Sequence, residues 1–191
     1  MKQYPTDKIR NVALVGHGSA GKTTLAEALL YVAGAIPRMG TVEDGTTVCD
    51  FDPEEAQRQI SVSLAVAPFE WEGHKVNLID TPGYADFVGD VAAALRAADL
   101  AIFVVSAVDG VEVQTEIGWR LAEGRAMPRA IFVNKLDRER ASFERTLADL
   151  KDKFGNGVAP LELPIGSEAS FRGVIDPVSY THLTLPTIYS V

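Results

Sequence analysis

The sequence predicts an α/β fold built on a mostly parallel, doubly wound sheet with one antiparallel hairpin at its edge. Short, uninterrupted apolar runs bounded by turn residues recur along the chain, and such runs are typical of strands buried on both faces of a parallel sheet. These runs alternate with segments of helical periodicity, which indicates strand–helix–strand units. One further segment alternates apolar and polar residues with period two, as expected of a half-exposed edge strand.

The elements can be placed in chain order from these patterns. The predicted buried strands are Val12–Val15, Val76–Ile79, Leu100–Val105 and Ala130–Val133. The predicted helices are Thr24–Ala33, Asp86–Ala98, Val111–Ala126 and Ser142–Phe154. In the first helix an apolar stripe runs from Leu25 to Val32, and Gly34 is placed to end it.

The period-two segment is Ser61–Val66, and we expect it to pair with the strand at Val76 through a turn over Pro68–Gly73. Residues 35–60, which precede it, show no sustained period. A loop of this length inside a compact domain is either functional or disordered, and its position after the first helix favours a function.

The composition excludes several classes of protein. The 191 residues include 18 Lys and Arg against 26 Asp and Glu, a formal net charge of −8, which argues against binding free DNA through a basic face. No apolar run approaches the roughly 18 residues that span a bilayer, and Met1–Arg10 does not resemble a secretory leader. The single cysteine, Cys49, excludes an internal disulfide and a cysteine-based zinc site, so we expect a reducing, cytoplasmic setting.

The last segment, Val178–Val191, contains no charged side chain, although 23% of the chain is charged. It is either a short exposed strand or a non-native tail, since it resembles the in-frame translation of a transposon-type sequencing adaptor. We favour the second interpretation, and therefore expect the natural polypeptide to be truncated near Pro177 in this sequence and the fold to be incomplete at its C-terminus.

A glycine-rich loop lies between the first predicted strand and the first helix and matches the phosphate-loop pattern GxxxxGK[ST]. Its glycines allow the backbone to wrap around an anion with N–H groups pointing inward, and the helix adds its positive N-terminal end. We expect Lys22 to reach the outer phosphates of a nucleotide and the Thr23 hydroxyl to ligate Mg²⁺, in a P-loop NTPase fold. The candidate binding residues of this loop are Gly16, His17, Gly18, Ser19, Ala20, Gly21, Lys22, Thr23 and Thr24.

A second motif follows the strand at Val76. Asp80 comes at the carboxyl end of this central strand, on the sheet edge expected to carry the phosphate loop, and is placed to hold Mg²⁺ through water. Gly83 would offer its N–H to a terminal phosphate and change conformation when that phosphate leaves, so Gly83 and Lys22 are candidate catalytic residues. The candidate binding residues here are Asp80, Thr81, Pro82, Gly83 and Tyr84.

A third motif, Asn134, Lys135, Leu136 and Asp137, stands at the end of the last predicted strand. The Asp137 carboxylate can accept two hydrogen bonds from the N1–H and 2-amino groups of guanine, a pairing that adenine does not supply. Asn134 would support the purine edge, and Lys135 would cover the ring with its methylene groups. As the third motif in chain order, this segment favours GTP over ATP.

These three motifs in this order resemble a translational GTPase, and the flanking sequence is similar to the elongation factor G family and its paralogues. The similarity covers about residues 9–176 and rests on four stretches, which are Gly16–Thr24, Asp80–Phe87, Gly110–Trp119 and Leu163–Asp176. The resemblance implies GTP and GDP binding with Mg²⁺ and hydrolysis of GTP to GDP and phosphate. It also implies a monomeric cytoplasmic factor, not bound to a membrane, whose full-length form acts on the ribosome.

The resemblance further implies a domain organisation. Residues 1–157 would form the core of the GTP-binding domain, residues 158–177 the start of its insert, and residues 178–191 the non-native tail. The fifth guanine motif and the later domains of the family would lie beyond the truncation.

Three positions depart from the family pattern and favour an elongation-factor-G-like paralogue over the housekeeping translocase. Tyr84 replaces a histidine that positions the attacking water, and is a candidate catalytic residue although a phenol is a poor proton acceptor at neutral pH. Ser61 replaces a threonine that reaches Mg²⁺, so it is either a metal ligand or simply the first residue of a strand. Ser19 replaces an acidic residue in the phosphate loop.

Three alternatives to a ribosome-stimulated GTPase therefore stay open. Tyr84 would suit a GTP-dependent binding switch that hydrolyses slowly. The differences between a translocase and a recycling, ribosome-protection or release factor lie in domains outside this sequence. A domain cut within its insert would have no autonomous function.

Overall fold

The structure is a computed structural model that describes residues 3–177, 179 and 181–184. The chain divides into two compact units, one of residues 1–105 and 112–132 and the other of residues 106–111 and 133–191. The helices are α1 Lys22–Val32, α2 Pro53–Arg58, α3 Val88–Ala97, α4 Val113–Glu123 and α5 Phe143–Phe154. The strands are β1 Ile9–Val15, β2 Ala65–Trp71, β3 His74–Asp80, β4 Leu100–Ser106, β5 Arg129–Asn134, β6 Leu163–Ile165, β7 Gly173–Asp176 and β8 Thr181–Thr184.

A five-stranded sheet of order β2-β3-β1-β4-β5 forms the centre of the first unit. Only the last residue of β4, Ser106, and the last two of β5, Val133 and Asn134, belong to the second unit. β1 pairs in parallel with β3 and with β4, whereas β2 runs antiparallel to β3. The predicted fold class, a mostly parallel sheet with one antiparallel edge hairpin, is confirmed.

The core lies on both faces of this sheet, as the alternation along β1 shows. Ala13 and Val15 join a buried cluster that includes Phe103 and residues of α3 and α4, while Leu14 joins a second cluster with residues of α1. Because successive side chains of a strand point to opposite faces, an uninterrupted apolar run serves both clusters. Cys49 belongs to the second cluster, and burial raises the pKa of its thiol above the usual range.

The predicted hairpin is displaced along the chain. Its strand begins at Ala65 rather than Ser61, and Pro68 lies within β2, opposite Asn77, instead of in the turn. The turn consists of Glu72 and Gly73, whose φ values of 45° and 75° suit a two-residue hairpin. Pro68 is tolerated because an edge strand does not need every backbone N–H.

The predicted irregular loop of residues 35–60 contains α2. Asp52 caps this short helix, accepting a hydrogen bond from the Glu54 amide at 2.8 Å, and Pro53 occupies its first turn. The four predicted helices are present as α1, α3, α4 and α5, with at least one end of each shifted. A short 3₁₀ turn over Ala85–Phe87 precedes α3, and the Ser142 side chain caps α5.

In the second unit, β6, β7 and β8 form a separate antiparallel sheet in that order. The predicted non-native tail falls largely on Val178, Tyr180 and residues 185–191, which lie outside the described residues. Within the described part, Thr181–Thr184 pairs with β7. The non-native origin of the tail stays a prediction.

Helices long and apolar enough to cross a membrane do not occur in the part of the chain that the structure describes.

Candidate functional site

The phosphate loop occupies the connection between β1 and α1 in the first unit. Gly16 and Gly21 have φ values of 151° and 98°, in the region that favours glycine, and Gly21 caps α1. A side chain at Gly16 would place its Cβ 2.3 Å from the Val104 carbonyl oxygen, so this position admits only glycine. The predicted strand, glycine loop and helix therefore occur in the expected order.

Lys22 lies at the centre of this loop with a buried side chain. Its Nζ donates hydrogen bonds to the Gly16 carbonyl at 3.0 Å and to the His17 carbonyl at 2.8 Å. Burial lowers the pKa of Lys22 to about 8, against the opposing effect of nearby carboxylates such as Asp80. An anion at this point would restore the ammonium's preference for the charged form, which suits a phosphate ligand.

A cluster of oxygen atoms lies at the start of α1. Thr23 Oγ1 donates to Asp80 Oδ2 at 2.7 Å, and Ser61 Oγ donates to Asp50 Oδ1 at 2.7 Å. The two hydroxyl oxygens are only 3.2 Å apart. Each hydroxyl has a single proton, and each donates it to a carboxylate. The contact between Thr23 Oγ1 and Ser61 Oγ therefore brings oxygen lone pairs together. A cation at the cluster would relieve that repulsion.

Asp80 provides the test of whether these residues fit Mg²⁺. Its side chain is buried, and Oδ1 has no hydrogen-bond partner in the described part of the chain. A buried carboxylate oxygen without a donor is costly, and a hard cation that prefers oxygen ligands would satisfy it. The predicted metal set of Thr23, Ser61 and Asp80 therefore fits Mg²⁺. The alternative role of Ser61, as first residue of a strand, is wrong because β2 begins at Ala65.

We expect Asp80→Asn to stabilise the metal-free chain at pH 7 but not at pH 4. Burial raises the pKa of Asp80 to about 6, whereas an aspartate in the unfolded chain titrates near 3.9. Because the unfolded chain loses this proton first, the free energy of unfolding falls between about pH 4 and pH 6, by up to about 3 kcal/mol. The substitution removes that loss.

Thermal unfolding in EDTA at the two pH values measures this effect. The Tm of the variant should exceed that of the wild type by several degrees at pH 7 and match it at pH 4. Asp152→Asn, at an exposed position of α5, reports the effect of removing a carboxylate from the surface. A variant that is less stable than the wild type at pH 7 would contradict the expectation.

The segment after β3 lies directly against the phosphate loop. Thr81 Oγ1 donates to the Leu14 carbonyl at 2.7 Å, which anchors the segment in the core. The Gly83 carbonyl accepts a hydrogen bond from the Gly18 amide at 2.9 Å, and a Cβ at Gly83 would lie 2.6 Å from Lys22 Nζ. We expect the Gly18 amide to face a phosphate, but here it donates its hydrogen bond to the Gly83 carbonyl. A phosphate that accepts from this amide therefore has to displace the Gly83 carbonyl.

Tyr84 packs over the same loop. A Cβ at Gly18 would lie 2.7 Å from Tyr84 Cζ, so the ring occupies space that a side chain at Gly18 would need. The ring centroids of Tyr84 and His17 are 6.3 Å apart. His17 Nε2 in turn lies 3.4 Å from Glu112 Oε1. Tyr84 remains 37% exposed, so the ring is only partly covered by these neighbours.

Sequence reasoning missed two carboxylates of this site, Asp50 and Glu112. Asp50 is buried and accepts hydrogen bonds from Ser61 and from Thr47. Asp50 lies in the segment without a sustained period, and Glu112 lies in a stretch that carries the family resemblance but no recognised ligand, so only the folded chain reveals their position. Groups of three or more His, Cys, Asp or Glu side chains suited to a metal do not occur among the described residues.

The third motif belongs to the second unit and follows β5 directly. The Asn134 carbonyl accepts a hydrogen bond from the Ala107 amide at 2.8 Å, and Lys135 has a left-handed backbone with φ of 62°. The Leu136 carbonyl accepts from the Glu168 amide at 3.0 Å. Asp137 is exposed.

Known proteins resemble this chain over most of its length. Residues 7–185 match the family described as the elongation factor Tu GTP binding domain. An elongation factor G-like protein of Mycobacterium tuberculosis is 52% identical over 158 residues, which are 83% of this chain and 22% of that protein. Elongation factor G of Granulibacter bethesdensis is 45% identical over 172 residues, which are 90% of this chain and 25% of that protein.

A solved structure is also similar. A crystal structure of a Thermus thermophilus protein matches with a TM-score of 0.84 and 47% identity, over 88% of this chain and 25% of that one. The chain thus spans about a quarter of the length of these relatives.

Proposed function

The chain belongs to the elongation factor Tu GTP binding domain family, and on that premise we propose that it binds GTP with Mg²⁺ and hydrolyses it to GDP and phosphate. The observation that carries the proposal is the oxygen cluster of Thr23, Ser61 and Asp80 beside the buried Lys22. It combines a cation site with a fixed positive charge at the end of a phosphate loop, as a Mg²⁺–nucleotide complex requires.

The phosphates would bind to Lys22, to the amides of the phosphate loop and to the N-terminal end of α1. Thr23, Ser61 and Asp80 would hold Mg²⁺, which when bound neutralises charge on the phosphate oxygens. The other residues proposed to contact the nucleotide are Gly16, His17, Gly18, Ser19, Ala20, Gly21, Thr24, Thr81, Pro82, Gly83 and Tyr84.

The guanine base would bind to the third motif. Asp137 would accept its two donors, Asn134 would support its edge, and Lys135 and Leu136 would complete the contact. Since an exposed carboxylate is well hydrated when free, its selectivity comes from the pairing with N1–H and the 2-amino group, which adenine cannot match.

Hydrolysis would proceed by in-line attack of water on the terminal phosphate. Lys22 and the loop amides supply positive charge where negative charge accumulates, which is the main contribution that positioned donors make. Gly83 has to leave the Gly18 amide before that amide can contribute. Tyr84 would orient the water by donating a hydrogen bond, but a phenol is a poor proton acceptor at neutral pH.

The position of Tyr84 supports a second candidate function, a GTP-dependent switch that hydrolyses slowly. In that case Tyr84→His should raise the turnover number by about tenfold or more, because an imidazole accepts a hydrogen bond from water at neutral pH. Single-turnover hydrolysis of radiolabelled GTP measures the change. Tyr84→Phe is the matched control, since it keeps the ring over Gly18 and removes the hydroxyl. Equal rates for Tyr84→His and the wild type would show that Tyr84 does not limit hydrolysis.

We further propose that the full-length protein is a monomeric, cytoplasmic, elongation-factor-G-like factor that acts on the ribosome and not on membranes or free DNA. Residues 1–157 would form its GTP-binding core and residues 158–177 the start of an insert.

GTP turnover measured with Mg²⁺, with and without ribosomes, tests the proposed ribosomal role. We expect the chain alone to hydrolyse GTP, and we expect ribosomes to stimulate GTP hydrolysis by the full-length protein. Turnover that saturating ribosomes do not stimulate would reject the ribosomal role, and GTP left uncleaved with and without them would reject the hydrolase.

A further inference from the structure

A tight turn of residues Gly166–Ser170 lies between β6 and β7 in the second unit. Gly166 has φ of 80°, and a Cβ there would lie 2.1 Å from the Ser170 carbonyl oxygen, so the turn closes tightly on itself. Ser170 Oγ donates to the Ser167 carbonyl at 2.6 Å and accepts from the Ser167 amide at 3.1 Å. The turn therefore has hydrogen bonds of its own in addition to its contacts with the neighbouring segment.

Glu168, in the middle of this turn, makes two contacts with the segment that contains Asp137. Its amide donates to the Leu136 carbonyl at 3.0 Å, and its Oε1 accepts from the Arg140 amide at 2.7 Å. Glu168 adopts a left-handed backbone with φ of 49°, which is costly for a residue other than glycine. A strained residue that bonds to both sides of Asp137 indicates a role in holding that segment.

The segment itself needs support from outside. Lys135 and Arg140 both have left-handed φ values, 62° and 66°, so the backbone bends sharply on either side of Asp137. Within the segment the Arg138 amide donates to the Lys135 carbonyl at 3.2 Å and the Ala141 amide to the Arg138 carbonyl at 3.1 Å, both towards the long end of the usual range. The contacts of Glu168 fix the carbonyl just before Asp137 and the amide three residues after it.

We infer that Glu168 is a positioning residue for recognition of the guanine base. The inference rests on the proposed function, because it assumes that Asp137 contacts guanine. Holding the backbone on both sides of Asp137 orders the carboxylate before the base arrives, so less conformational entropy is lost on binding. Through Glu168, the strength of guanine binding would depend on a distant turn, since Glu168 lies 28 residues after Arg140 in the chain.

Binding of GDP and of IDP to the full chain tests the inference. Glu168→Ala removes the acceptor for the Arg140 amide, and Glu168→Asp keeps the charge but shortens its reach by one methylene group. Both should weaken GDP binding about fivefold. Glu168→Gln is the matched control, since its side-chain oxygen can still accept, and it should bind GDP within about twofold of the wild type.

The ratio of GDP to IDP affinity separates positioning from a general structural role. IDP lacks the 2-amino group and makes only one of the two hydrogen bonds to Asp137. A displaced carboxylate therefore weakens the binding of IDP less than the binding of GDP. The ratio should therefore fall in Glu168→Ala and Glu168→Asp. General destabilisation would lower both affinities equally, and that result would overturn the inference.

The remaining outcomes are also decisive. Unchanged GDP and IDP affinities in both variants, with a wild type that binds GDP, would overturn the inference and leave the proposed function standing. A wild type that does not bind GDP would overturn both. Loss of folding in Glu168→Ala and Glu168→Asp, seen by thermal unfolding while Glu168→Gln stays folded, would assign Glu168 a structural role instead.

Discussion

Lys22→Ala is expected to lower the GTP turnover number by at least about 100-fold, which is the usual effect of removing one fixed donor from a developing anion. Lys22 Nζ is held by the Gly16 and His17 carbonyls, so the ammonium is already oriented before substrate arrives. Burial lowers the pKa of Lys22 to about 8, which leaves the group mostly protonated at pH 7. Its charge is also poorly solvated, so contact with a phosphate is worth more than it would be in water.

Steady-state turnover with saturating GTP and Mg²⁺ measures the loss. Lys151→Ala is the matched control, because Lys151 is an exposed lysine of α5, and it should keep the wild-type rate. The alanine variant leaves two loop carbonyls without their donor, so its folding has to be verified by circular dichroism. A folded variant with turnover within about threefold of the wild type would be incompatible with the proposed role of Lys22.

Asp137→Asn should change the base preference of the site from guanine towards xanthine. A carboxylate offers two acceptors to N1–H and the 2-amino group, whereas an amide offers one acceptor and one donor. The donor of the amide opposes the 2-amino group of guanine but matches the 2-oxo group of xanthine. GDP affinity is therefore expected to fall by about 1,000-fold or more, with a gain in XDP affinity.

Competition of GDP, XDP and ADP against a fluorescent nucleotide measures this change. Asp152→Asn, which alters the net charge equally at an exposed position in the same unit, should leave the preference for GDP intact. Because Asp137 is exposed, its substitution should not lower the Tm appreciably, so a change in preference would be due to the site. Wild-type GDP affinity in Asp137→Asn would remove this residue from the base site.

The parts of the fold that the sequence predicts well are those that local physics determines. An apolar run such as Val12–Val15 must be buried on both faces, and a loop with glycines at Gly16 and Gly21 is compatible with few backbone shapes. The family predicted from the motifs is confirmed as well, because three motifs in order carry far more information than one. Such features do not depend on distant parts of the chain.

The predicted hairpin is misplaced because two signals conflict. Alternation over Ser61–Val66 predicts a strand with Val66 inside, yet Val66 is 56% exposed and the small residues Ala65 and Ala67 face the core. The turn over Glu72 and Gly73 sets the register, and Pro68 is no obstacle at an edge. Turn chemistry is the stronger signal, since a two-residue turn fixes every pair in the hairpin.

The loop before the hairpin shows what sequence patterns leave out. Glu27 in α1 is fully buried, and its carboxylate accepts hydrogen bonds from the Gly40 amide at 2.9 Å and the Val48 amide at 2.5 Å. Glu55 likewise accepts from the amides of Val62 and Ser63. A glutamate in a helix normally faces solvent, so its use as an internal support for loop amides has no local signature. The Val62 and Ser63 amides directly follow Ser61, so the contacts of Glu55 hold the backbone next to the serine that lies beside Thr23.

Equilibrium binding of guanine and adenine nucleotides to the unmodified chain, in the presence of Mg²⁺, is the decisive measurement for a guanine-nucleotide site. We predict saturable binding of a fluorescent GDP that unlabelled GTP and GDP displace at concentrations about 1,000-fold lower than ATP or ADP. We also predict that EDTA weakens the binding of GTP, since Thr23, Ser61 and Asp80 would then lack their cation. Displacement by ADP and GDP at equal concentrations, or binding that does not saturate, would contradict such a site.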